Sequence, residues 1–126
     1  MRILRWSWSA LVLCGVCVAC SGSSSGGVSG QASARDQAVS ASCDKLNTCN
    51  QIGPATNQTY VSMDDCTVKQ QSYWQRAWPP QDCDGHIDAA QLDTCLSTIR
   101  AADCGNALDL ANITLNKCPQ AKVCGA

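Results

Sequence analysis

The side chains best equipped for chemistry are eight cysteines: Cys43, Cys49, Cys66, Cys83, Cys95, Cys104, Cys118 and Cys124. A thiol can ligate a metal, exchange with a disulfide or cross-link the chain. Zinc sites and thioredoxin-like redox sites draw on closely spaced C-x-x-C pairs. These eight contain none, and His86 is the only histidine, so no metal and no cofactor is expected. An even count in an exported chain points to cross-linking, as four disulfides whose connectivity the count leaves open.

Other constellations are thinner. In the segment 82–91, DCDGHIDAAQ, taking Gly85 as a turn glycine puts Asp82, Asp84 and Asp88 at EF-hand ligand positions and Ile87 at the apolar one. The first ligand position is then Pro80, and the last, where a bidentate Glu belongs, is Gln91. The segment is therefore expected to be an Asp- and Gly-rich turn running into a helix cap. His86 lies in that turn, and catalysis would need partners that spacing alone does not assign to it. No catalytic residue is assigned. Tyr73, Trp74 and Trp78 carry nearly all the aromatic mass of the cysteine-rich part, in a chain without Phe. They are either its core or a binding surface. As a surface, Trp78 is the residue expected to be exposed, because Pro79-Pro80 stops its helix there.

These residues need elements to hold them. Asp88 reads as an N-cap with Gln91 three positions on, and Leu92, Cys95, Leu96 and Ile99 follow at helical spacing. That helix, flanked by Cys83 and Cys104, is expected to be the piece to which other segments are stapled. Ser33 to Asp36 resembles a capping box, with helix from about 34 to 50 placing Val39, Cys43, Leu46 and Cys49 near one face. Ser62 caps a second helix that Pro79-Pro80 ends, and Ala107, Leu108, Ala111 and Leu115 suggest a weaker fourth. A hairpin of the first two helices would bring Cys49 to Cys66, and a folded-back helix end would bring Cys95 to Cys104. The fold class is all-α: a small disulfide-stapled bundle of three to four helices. So small a core, with few large apolar side chains, is marginal without staples. One disulfide closing about 18 residues adds about 3 kcal/mol.

The first 19 residues are an address. Arg2 and Arg5 precede a mostly apolar run from Trp6 to Ala19, too short for the roughly 20 residues of a membrane span. The run ends Cys17-Val18-Ala19-Cys20 before a Ser/Gly tract. This resembles the lipobox of bacterial lipoproteins, with Cys17 where Leu is usual. The resemblance implies a signal peptide over 1–19 and a diacylglycerol thioether on Cys20. Residues 20–32 are then anchor and linker, and 33–126 the cysteine-rich domain. Ser21 after the cysteine implies sorting to the outer membrane, facing the periplasm or the cell surface. Ten Gly/Ser-rich linker residues reach roughly 17 Å. Without Arg2 and Arg5 the chain has seven basic and ten acidic side chains. No basic stripe exists, so nucleic acid is not an expected partner.

The plan of lipobox, Ser/Gly linker, C-x5-C-x16-C-x16-C and then C-L-x2-I-x4-C resembles small cysteine-rich bacterial lipoproteins. Some of these are called natural-product biosynthesis lipoproteins, of unknown mechanism. The resemblance implies an anchored, non-catalytic envelope module that binds a small molecule or protein, or serves as an accessory to a natural product. The alternatives are a small enzyme using His86 and a structural envelope protein without a specific ligand.

Overall fold

The computed structural model of the chain describes residues 30–105, 113 and 116–125. The leader, Cys20, the linker through residue 29 and nearly all of the helix expected near 107–115 lie outside them. Among the described residues the chain forms α1 (Gln31–Thr48), α2 (Met63–Ala77), α3 (Pro80–Cys83), α4 (Ala89–Ala101) and α5 (Gln120–Val123). No strand forms there; Ile52 and Tyr60 make an isolated bridge. This is the expected all-α, disulfide-stapled class.

Locally coded features fall where the sequence puts them. Ser62 Oγ accepts the Asp65 amide at 3.1 Å, and Asp88 Oδ1 accepts those of Ala90 and Gln91 at 2.9 and 3.0 Å. The proline pair ends α2 at Ala77, with Trp78 as its C-cap. Pro80 then opens α3, which the apolar pattern did not reveal. Proline suits a first helical position because its missing N–H would have had no intrahelical partner there. The start of α1 differs. It begins at Gln31, so Ser33 lies inside the helix rather than capping it. The reason is tertiary: Asp84 Oδ1, 53 residues away, accepts the Gln31 amide at 3.2 Å. The Gln31 side chain donates to the Trp78 carbonyl at 2.6 Å. A distant carboxylate thus supplies the cap that the local sequence lacks.

The disulfides join Cys43 to Cys66, Cys49 to Cys104, Cys83 to Cys124 and Cys95 to Cys118. All eight cysteines are staples, but neither expected pair forms. α1 and α2 do run antiparallel: Gln31 meets Trp78 at one end, and Cys43 meets Cys66 towards the other. The link between them, residues 49–62, is folded on itself rather than a tight turn. The Gly53 amide donates to the Tyr60 carbonyl at 2.8 Å, and the Thr59 amide to Gln51 at 2.9 Å. The Gln58 amide group donates to the carbonyls of Asn50 and Ile52. Cys49 is therefore carried past the helix pair, and Cys43 on the buried face of α1 takes its place. Cys95 does not meet Cys104: α4 stays helical to Ala101, and the turn after it carries Cys104 away to Cys49 instead of folding back. Six residues of rise put the end of α4 about 9 Å beyond Cys95, so that pairing would have needed the chain to double back along the helix at once.

The packing centre is α1, against which α2, α3 and α4 lie. The stretch 83–104 is instead where three of the four disulfides land. Ala34, Ala38 and Ala41 are buried on α1, small side chains that let neighbouring helices approach closely. Leu92, Cys95, Leu96 and Ile99 are buried as a set, as their spacing requires.

Candidate functional site

α1 and α2 leave a groove of about 350 Å³ on one side of their contact. Its α1 wall is the row Asp36, Ser40 and Asp44, four residues apart and so one above another on the helix. Its α2 wall is Met63, Thr67 and Gln71 at the same spacing, and Val39 and Cys43 form the floor. The two walls stay in register because Cys43 is bonded to the buried Cys66 beneath them.

The groove is apolar inside and acidic along one rim. Val39 is buried, while Met63 keeps 39% of its surface exposed. Asp36 Oδ1 accepts from Arg35 Nη2 at 2.9 Å. That guanidinium is also held by Gln75 Oε1 at 2.7 Å, on the side towards the core. The Asp44 carboxyl accepts only the Ser40 hydroxyl, at 3.3 Å, and has no ion pair among the described residues. Beside the groove, the Asp65 carboxyl is held below its ordinary range by the hydrogen bond from Lys69 Nζ at 2.9 Å, with partial burial opposing and the Val61 amide assisting.

The residues singled out from the sequence lie elsewhere. Trp74 and Trp78 are 2% and 0% exposed, and Tyr73 is half-buried. They are core, not an open binding surface. The indoles pack 4.5 Å apart. Trp74 Nε1 donates to Ser42 Oγ at 3.3 Å and Trp78 Nε1 to the Cys118 carbonyl at 3.0 Å. Trp78 ends its helix as expected, but the chain turns at once into α3, and the Cys118 segment closes over the ring.

The three aspartates of the Asp-rich turn do not converge. Asp82 accepts from Gln120, Asp84 caps α1 and Asp88 caps α4. Among the described residues no group of three His, Cys, Asp or Glu could hold a metal. His86 is exposed in that turn, and its ring has no side-chain hydrogen bond there. The groove residues were missed because both walls follow a four-residue step that also describes any solvated helix face. Only the docking of α1 on α2 turns two such faces into a cleft.

Residues 43–126, from the first of the eight cysteines to the end of the chain, match the model described as Family of unknown function (DUF6184). No curated protein and no solved structure matches the chain.

Proposed function

The chain belongs to the DUF6184 family of unknown function, and on that premise we propose that it is a non-catalytic, membrane-anchored recognition module of the cell envelope. Its α1–α2 groove takes a small amphipathic cation, an apolar body carrying an amine. The observation that carries this is the pairing of an apolar interior, Val39 on the floor and Met63 on the α2 wall, with the carboxylates of Asp36 and Asp44 on a helix pair locked by Cys43–Cys66. The size is that of a small-molecule cleft. An exposed carboxylate adds up to about 1 kcal/mol to a cation; Asp36 is already paired with Arg35, so Asp44 favours the ammonium over a neutral body by up to about fivefold.

Anchoring is through a lipid on Cys20, and the location is the outer membrane. Four disulfides support export to an oxidising compartment, and the lipobox-like end of the leader supports the anchor. An accessory role beside natural-product biosynthesis rests on the cysteine spacing alone, and the genes flanking this one test it.

The binding test uses oxidised protein with Cys20→Ser and n-octylammonium, followed by methyl NMR. Val39 and Met63 should shift saturably, with a Kd on the order of 1 mM. n-Octanol and the Asp44→Asn variant should each bind several-fold more weakly. Equal shifts with the alcohol, or no saturation, would refute the cation reading. For the anchor, a fatty-acid analogue should label wild type; equal labelling of Cys20→Ser would refute it.

A further inference from the structure

The four disulfides are not equally protected. Cys43–Cys66, Cys83–Cys124 and Cys95–Cys118 have all six cysteines at most 4% exposed. In the fourth, Cys104 is exposed and Cys49 half-buried. This cystine joins the C-cap of α1 to the turn that follows α4. It lies at the end of α1 opposite Gly30, roughly 27 Å along the helix.

The end of α1 does not depend on it. Asn50 takes a left-handed backbone, φ 55°. The Gln51 amide donates to the Leu46 carbonyl at 2.9 Å and the Asn50 amide to Asn47 at 3.0 Å. These two bonds are a complete Schellman cap, which closes the helix without help from a cross-link. The bond is therefore both reachable and separable from the helix it terminates.

We propose that Cys49–Cys104 is a site of thiol–disulfide exchange whose reaction partner is a dithiol, such as the reduced C-x-x-C of a thioredoxin-like protein. A thiolate of the dithiol attacks Cys104 Sγ, the exposed sulfur. The Cys49–Cys104 bond breaks, Cys49 leaves as a thiolate and takes a proton from solvent, and Cys104 is held in a mixed disulfide. The partner's second thiolate attacks its own sulfur in that mixed disulfide and releases Cys104, which is protonated in turn. The cystine has gained two electrons and two protons, and the dithiol has lost the same. The helix C-terminus at Cys49 offers a thiolate no stabilisation, so the released Cys49 is protonated, and the cystine is a weak oxidant that only a strongly reducing dithiol opens. Opening it frees the turn after α4 from the end of α1 and leaves three buried staples in place.

The test exposes native full-length protein to limiting dithiothreitol, quenches with N-ethylmaleimide and maps the alkylated cysteines. Cys49 and Cys104 should react about tenfold or more ahead of the other six, with the far-UV spectrum unchanged. A Cys49→Ser/Cys104→Ser protein should keep the remaining three disulfides and its helical content. A thioredoxin-fold protein lacking its resolving cysteine should be trapped on Cys104. All eight reacting at one rate, or Cys49 and Cys104 resisting until the chain unfolds, would overturn the proposal. So would trapping on any other cysteine, or none.

Discussion

Replacing Trp78 by alanine tests the whole account of how this fold closes. The indole is 0% exposed, packs 4.5 Å from Trp74 and gives its N–H to the Cys118 carbonyl at 3.0 Å. A buried tryptophan removes about 150–250 Å² from water, which at about 25 cal/mol per Å² is about 4–6 kcal/mol. Alanine retains a little of that, and measured truncations of this kind lie near 3–5 kcal/mol. The Cys118 carbonyl would also lose its donor, about 1 kcal/mol or more unless water enters the cavity. A loss of about 4–5 kcal/mol is therefore expected, a large part of the 5–15 kcal/mol typical of a folded domain. Equilibrium urea unfolding of the oxidised protein, followed by far-UV circular dichroism, measures it. Trp78→Phe separates the two contributions: it keeps most of the apolar bulk and gives up the hydrogen bond, for about 1–2 kcal/mol. A loss below about 1 kcal/mol for Trp78→Ala would mean that the ring is not core, and with it would fall the closure of the Cys118 segment over α2.

Asp84→Ala should cost about 1 kcal/mol and speed amide exchange at Gln31; unchanged exchange there would show that the distant cap is not formed. Gly85 has φ 78°, so Gly85→Ala should lower the unfolding free energy from urea titration by about 1 kcal/mol and Gly85→Asn by less. Because the folded Asp65 pKa is depressed below its ordinary 3.8, its contribution is fully present above that value and is lost as pH falls through the folded pKa. Lys69→Met should raise the Asp65 carboxyl midpoint in an NMR titration, and an unmoved midpoint would remove Lys69 as the cause.

What the sequence determined by itself is what short-range chemistry controls. Ser62 and Asp88 cap their helices because the amides they accept lie two or three residues away. Leu92, Cys95, Leu96 and Ile99 share a face because the helix repeat puts them there. The eight cysteines declare cross-linking through their number and their lack of close pairs. Pairing, burial and the groove were decided by docking. Cys49 and Cys66 are well placed for a tight hairpin, but the folded link at 49–62 moves Cys49 to Cys104 and leaves Cys43 to meet Cys66. Trp78 stands at a helix end, a position that by itself predicts exposure. Its burial depends on Cys118, 40 residues on. The first turn of α1 is set by Asp84 across 53 residues. Local partners can be read from spacing because the chain cannot carry them apart. Partners tens of residues distant are chosen only when whole helices meet, and there the apolar faces settle the arrangement before any one side chain does.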